Sequence, residues 1–315
     1  MPTALERLLP DPARRALSAT LEFTRRPMVR RAVLVLALLL AGAVYVRQFS
    51  YMYRGDAYLY WEAIRKEHLY ITQLQDAPHG FLYSPAFIQS VWPLLSLPWE
   101  VFYAIWLAVY IAALVWICRP WLTLAVLPWV FITFGIALLQ IPRHSVSSGN
   151  IYLYMGLAVV AGFRWPSAYA FLLLTKVTPG IALLWFVVRR EWRNLAIALG
   201  TTAAIVAVSF AIAPNLWFDW YTVLRNNSTY GEPAFAIRVL PLLPRLVIAA
   251  AMVAVAAHYN ARWVLPIAIV LAMPYVADTA FIILLCMAPL LRGDSWTLPR
   301  PRRAAEGPRK AAVAA

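Results

Sequence analysis

LAIALGTTAAIVAVSFAIA, residues 195–213, carries no charged side chain from Leu195 to Ala213. It lies between the basic cluster Arg189-Arg190-Glu191-Trp192-Arg193 and Pro214. The run is apolar around its whole circumference, where a helix on a soluble core would show a stripe. At about 1.5 Å per residue it reaches across a hydrocarbon core roughly 30 Å thick. A second run, Ala32–Val46, has the same character and follows a basic tail. It lacks a small-residue cleavage site, so it is expected to be a retained span, not a removed leader.

Outward from these two runs the whole chain agrees. Of 315 residues 63% are hydrophobic and only 13% charged, with a mean hydropathy of +0.67, against about 25% charged in a typical soluble domain. The 14 Trp and 16 Tyr gather at the ends of apolar runs, as interfacial anchors do. The net charge of +14 does not signal nucleic acid, because of where the charge sits. Arg7, Arg14, Arg15, Arg25, Arg26, Arg30 and Arg31 precede the first span. Arg292, Arg300, Arg302, Arg303, Arg309 and Lys310 follow the last. This is the positive-inside pattern, with anionic membrane lipids as natural partners. Cys118 and Cys286 lie in or beside apolar runs and read as buried thiols.

Apolar segments fall at about 32–48, 81–97, 100–118, 121–140, 150–163, 165–188, 195–213, 238–257, 262–276 and 278–291. The expected fold is an all-α integral membrane bundle of about ten transmembrane helices in a multi-pass inner (cytoplasmic) membrane protein. Residues 1–31 and 292–315 form basic cytoplasmic tails around a 32–291 membrane domain. With both termini inside, residues 49–80 and 214–236 become outer loops. In the first loop Ala57, Tyr60, Trp61, Ile64 and His68 share one side of a helical pattern, while Glu62, Arg65, Lys66 and Glu67 fall mainly on the other. This predicts an amphipathic helix in the outer membrane surface, with Asp56 as its N-cap. The segments 150–163, 262–276 and 278–291 are short for a bilayer, which predicts broken or re-entrant helices.

Few residues can carry chemistry. Lys176 lies near the middle of the run 165–188, where a lysine costs roughly 2.5–3.5 kcal/mol on insertion scales and usually faces a functional cavity. Pro179 deprives nearby backbone groups of intrahelical partners, so an anion beside Lys176 would find donors as well as charge. Asp56 stands at the outer end of the first span. Asp278 stands between two apolar segments with no basic neighbour. There is no P-loop, no G-x-G-x-x-G and no H-E-x-x-H. His68, His79, His144 and His258 show no metal-ligand spacing, so neither metal nor cofactor is expected.

Several elements occur in a telling order. An Asp follows the first span, an aromatic surface helix follows it, and Phe81-Leu82-Tyr83-Ser84-Pro85 opens the second span. Ser148-Gly149-Asn150-Ile151 comes next, then Lys176-x-x-Pro179 with an apolar run ending in Arg189–Arg193. In this order, over residues 32–193, the chain resembles glycosyltransferase family 87, a GT-C-type group with polyprenol-phosphate-mannose-dependent mannosyltransferases. The resemblance implies a GT-C-like bundle and an inverting sugar transfer, mannose foremost, on the extracytoplasmic face. The donor would be a polyprenyl-phosphate sugar and the acceptor a glycolipid or glycan.

An acceptor hydroxyl needs a carboxylate base near the membrane surface, which Asp56 offers. The leaving lipid phosphate needs fixed positive charge near bilayer depth, for which Lys176 is the leading candidate. Tyr83, Asn150, Arg143, His144, Arg238 and Asp278 complete the candidate substrate and phosphate contacts, although ten spans would put Arg143 on the cytoplasmic side. The alternative is a secondary transporter or lipid flippase with an intramembrane Lys/Asp site, but no second half of related hydropathy accompanies the first.

Overall fold

A computed structural model describes residues 26–51, 54–66, 68–70, 81–118, 146, 148–227 and 240–291. Every regular element among them is helical. Helix α1, Pro27–Tyr51, is long enough for a bilayer and takes Arg30 and Arg31 into its first turns. A short helix α2, Asp56–Ala63, follows with Ala57, Tyr60 and Ala63 buried. The expected helix is therefore present, although the exposed His68 lies beyond it. Its N-cap is Gly55, without a side-chain cap, so Asp56 is the first helical residue and not the cap expected from sequence.

Helix α3, Pro85–Leu95, starts with Pro85 behind Ser84, whose hydroxyl accepts from Phe87 N; proline at the first position and serine at the cap are both favoured. Helix α4 is Trp99–Cys118. Arg65 ties α2 to the α3–α4 connection by donating to Leu95 O at 3.0 Å and Leu97 O at 3.1 Å, while Trp61 Nε1 donates to Leu97 O at 2.8 Å. Ten spans were expected; the segment 121–140 lies outside the described residues. Among the described residues Trp99–Ile117 and Trp192–Ile212 are long and apolar enough to cross a membrane, and shorter apolar helices accompany them.

Of the segments expected to be broken, 150–163 forms a single short helix, whereas the longer run 165–188 is interrupted. Helix α5 is Tyr152–Gly162. The run 165–188 divides into a 3-10 turn, Pro166–Ala168, with α6, Tyr169–Thr175, and a second 3-10 stretch, Thr178–Leu183, leading into α7, Leu184–Val188. Lys176 between them is extended, with φ −146° and ψ 120°. The break has a local cause. Pro179 offers no N–H, its ring would collide with the Thr175 carbonyl in a continuous helix, and it biases Thr178 away from α geometry. Thr175 Oγ1 folds back to Phe171 O at 2.6 Å, a bond that often bends helices.

Helix α8, Trp192–Ile212, turns apolar side chains such as Val208 and Ile212 outward, as a lipid-facing helix should. The first half of the segment 214–236 is not irregular, because it forms α9, Pro214–Asn227. Trp217 Nε1 donates to Ser209 Oγ at 3.1 Å and Trp220 Nε1 to Leu82 O at 3.1 Å, which fold α9 back over α3 and α8.

Helix α10, Leu242–His258, precedes the second broken segment. That segment comprises a 3-10 turn, Arg262–Val264, then α11, Leu265–Leu271, a turn over 272–277, a 3-10 stretch, Asp278–Cys286, and α12, Met287–Leu291. Thr178–Leu183 packs on α11, and α5 packs on Asp278–Cys286. A side chain at Gly156 would collide with the buried Cys286 thiol, so glycine sets the closeness of that second contact. Arg245, only 1% exposed, donates to Leu240 O (2.7 Å), Leu271 O (3.2 Å), Met273 O (2.8 Å) and Pro274 O (3.0 Å). A buried guanidinium thus holds the end of α11 and the turn after it.

Candidate active site

Two of the candidate residues, distant in sequence, meet at the start of α2. Asn150 Nδ2 donates to Asp56 Oδ2 at 2.6 Å, while Asn150 Oδ1 accepts from Tyr152 N at 3.0 Å. The second bond fixes the orientation of the amide: an oxygen engaged by a backbone N–H turns the NH₂ toward the carboxylate. Asn150 is buried and held from behind. Gly149 lies in the left-handed region at φ +63°, and Trp106 Nε1 donates to Gly149 O at 2.8 Å. A Cβ at Gly149 would stand 2.7 Å from Ala57 Cβ. Glycine is needed here both for its backbone angle and for the approach of α2.

Lys176 closes the group from the break after α6. Freed from helical geometry by the break, its Nζ donates to Tyr152 OH at 2.8 Å. The ammonium lies 4.6 Å from the Tyr152 ring centroid and 6.0 Å from that of Tyr83, within reach of the negative faces of both rings. No carboxylate pairs with it among the described residues. Tyr152 thus links the two ends of the group, its backbone N–H on Asn150 beside Asp56 and its phenol on Lys176.

Tyr83 lines the same space, its hydroxyl 3.3 Å from that of Tyr60. Tyr60 is buried one turn after Asp56 on α2. Burial, then the neighbouring Tyr83 and Asp56, hold its hydroxyl well above the usual range. It therefore stays neutral and can donate a proton in a hydrogen bond. The backbone before α3 is fixed from outside: Tyr70 OH donates to Tyr83 O at 2.7 Å, beside the Trp220 contact to Leu82.

Asp278 occupies a different setting. It is exposed, and its Oδ1 accepts from Thr279 N at 2.7 Å at the start of its own 3-10 stretch. It is not a member of the group from Asp56 to Lys176. Arg143, His144 and Arg238 lie outside the described residues. Tyr60 and Tyr152 were not among the residues singled out from sequence. Their signal is slight: one turn from Asp56 on the buried face, and two residues after Asn150.

A carboxylate, a cation without a carboxylate partner and neutral hydroxyl donors in one cluster suit transfer chemistry on an anionic substrate. The model of glycosyltransferase family 87 matches residues 81–300, well over half of the chain. The chain belongs to glycosyltransferase family 87. It is thus a membrane glycosyltransferase, and the transporter reading has no support. The family match contains Tyr83, Asn150, Lys176 and Asp278, while Asp56 and Tyr60 lie upstream of it. It also extends past residue 193, where the sequence motifs end. No curated protein and no solved structure matches the chain.

The glycosyltransferase geometry at Gly149 predicts a specific lesion. Gly149→Ala should cost about 1–3 kcal/mol of stability through left-handed strain and the Ala57 contact. It should also lower sugar transfer by displacing Asn150 from Asp56. Thermal unfolding and transfer rate measured together check this, and an alanine variant with unchanged rate would show that the Asn150–Asp56 contact is dispensable.

Proposed function

We propose that the chain moves a sugar, mannose foremost, from a polyprenyl phosphate to a hydroxyl of a glycolipid or glycan acceptor on the extracytoplasmic face. The carrying observation is Tyr152, which links Asn150 beside Asp56 to Lys176 within one cluster. Asp56 takes the acceptor proton as the hydroxyl oxygen forms its bond to the anomeric carbon. The bond from that carbon to the phosphate oxygen breaks, and its electron pair leaves with the phosphate. The donor phosphodiester carries one negative charge and the departing monoester up to two. Lys176, assisted by the neutral Tyr83 hydroxyl, offsets the charge that develops. One carboxylate acting as base, with attack opposite the leaving group, gives inversion at the anomeric carbon.

The orientation has support from charge. α5 runs from Asn150 at the cluster to Phe163 and Arg164 at its far end, and the Asn150–Asp56 bond gives this segment the direction opposite to the one that ten alternating spans require. There the Phe163 ring meets Trp185 at 5.3 Å, Arg262 stacks on Phe163, and Arg189 Nη1 donates to Ala257 O. Arg164, Arg189, Arg190 and Arg262 thus gather at one end, a cytoplasmic feature by the positive-inside rule. Asp56 lies at the other. Among the described residues no group of three or more His, Cys, Asp or Glu is placed to hold an ion.

The test is the lysine. Lys176→Met keeps the bulk and removes the charge. It should lower kcat/KM for a polyprenyl-phosphate sugar by about 10²-fold or more and leave the protein folded, since a buried charge is replaced by an apolar chain. Transfer at the wild-type rate would remove Lys176 from the phosphate site.

A further inference from the structure

We propose that the end of the bundle opposite to Asp56 carries a site for one anionic phospholipid, its headgroup phosphate held by Arg262 with the Tyr169 hydroxyl beneath. Two turns meet there. α7 and α10 pack on each other and stop in the same way. Glu191 N donates back to Phe186 O and Ala261 N to Ala256 O, both at 2.8 Å, with Arg190 and Asn260 left-handed at φ 55° and 54°. This closure satisfies helix-end carbonyls and sets Glu191 and Arg262 just beyond the two ends.

The charges of the two turns are unequally matched. Glu191 is committed twice, accepting from Arg189 Nε and Asn194 Nδ2, each at 2.9 Å. Arg189 also donates to Ala257 O at 3.2 Å. No carboxylate pairs with Arg262 among the described residues. Its guanidinium lies 4.8 Å from the Phe163 ring centroid, and its buried Nε has no hydrogen-bond partner. A buried charged donor without an acceptor is costly. A second unmatched donor stands beside it. Tyr169 is 0% exposed, its hydroxyl has no hydrogen-bond partner among the described residues, and Arg262 and Glu191 are its charged neighbours. Its ring is lodged against Gly162, where a Cβ would collide with it, and meets Phe186 at 5.4 Å, so the phenol cannot turn elsewhere. A guanidinium and a hydroxyl that converge without an acceptor fit the oxygens of a phosphate.

Depth selects a lipid over a soluble anion. Trp165, Tyr259 and Trp263, in the turns at this end, are exposed, and Arg164 stacks on Trp165 at 4.9 Å. Exposed aromatic side chains beside arginines mark headgroup level, where the phosphate of a phospholipid lies. A zwitterionic lipid brings the same phosphate with its own ammonium, which Arg164, Arg189 and Arg190 disfavour. An anionic lipid brings the phosphate alone. The site is distinct from Lys176, because α5 separates the two ends.

The experiment is native mass spectrometry of the full chain in detergent, titrated with dioleoyl-phosphatidylglycerol, dioleoyl-phosphatidylcholine or inorganic phosphate. Wild type should retain one phosphatidylglycerol roughly tenfold more tightly than phosphatidylcholine. Arg262→Gln, whose amide can still lie on Phe163, should bring the two lipids to parity. Tyr169→Phe removes a single oxygen and should weaken phosphatidylglycerol severalfold. It decides the matter where Arg262→Gln does not fold. Arg193→Gln is the control for diffuse surface charge, since Arg193 is exposed in the first turn of α8, and it should leave retention unchanged. Lys176→Met should do the same, which separates this site from the donor's. Parity of the lipids in wild type overturns the inference, as does wild-type retention in Arg262→Gln or in Tyr169→Phe. Equal loss in Arg193→Gln reduces the effect to diffuse charge, and loss in Lys176→Met moves the lipid to the donor site; either result overturns it. Displacement of phosphatidylglycerol by an equal concentration of inorganic phosphate would mean a soluble anion and overturn the lipid assignment.

Discussion

Asp56→Asn lowers sugar transfer by about 10²–10⁴-fold, the usual cost of losing a general base, and leaves donor affinity and folding near wild type. The structure makes this outcome sharper than the sequence could. Asp56 is the first residue of α2 behind the cap position of Gly55, so a role as helix cap does not compete for its function. Its remaining helical contribution is charge near an N-terminus, worth about 0.3–1 kcal/mol. An asparagine oxygen can still accept from Asn150 Nδ2, which preserves the contact that orients the site. What is lost is the proton acceptor. Asp278→Asn is the internal comparison: Asp278 binds its own backbone at Thr279, and the variant retains transfer. A fully active Asp56→Asn beside an inactive Asp278→Asn would move the base to the late segments.

The largest effect on stability is expected at Arg245. Its guanidinium is enclosed by four backbone carbonyls from Leu240, Leu271, Met273 and Pro274, which a broken helix in a membrane cannot hand over to water. Arg245→Leu strips them of their donors at once and should cost about 3–5 kcal/mol, since each buried acceptor left unsatisfied costs about 1–3 kcal/mol. Arg245→Lys should recover only part, because a single ammonium lacks the planar fork that reaches several carbonyls together. Unfolding of the full chain in detergent measures both variants. Arg245→Leu as stable as wild type would mean that the turn over 272–277 is held by packing alone.

The membrane character was legible at once in Leu195–Ala213, because an uncharged, all-round apolar run admits few soluble alternatives. The break at Lys176 was legible as a costly charge next to Pro179, two local features that point the same way. α9 was not: Pro214–Asn227 alternates aromatic, amide and charged residues, with its inner face made by Trp217, Trp220 and Val223 only after α8 and α3 are in place. Arg245 was not singled out within the run 238–257, since nothing local reveals that it turns inward onto a helix break. The site was half legible. Asp56, Asn150, Tyr83 and Lys176 each carried a local signal, but nothing local showed that the Asn150 amide meets Asp56 from 94 residues away. Tyr60 and Tyr152 became visible only through the partners that the fold supplies.

The most direct measurement follows a labelled sugar on its carrier. The purified full chain in nanodiscs is given a polyprenyl phosphate bearing a radiolabelled hexose, with a lipid extract of the native membrane as the acceptor pool. The account predicts that wild type moves the label onto an extract component with inversion at the anomeric carbon and releases polyprenyl phosphate, while Asp56→Asn binds the donor and leaves the label in place. Label transferred only from a nucleotide sugar, or transferred equally well by Asp56→Asn, would contradict it.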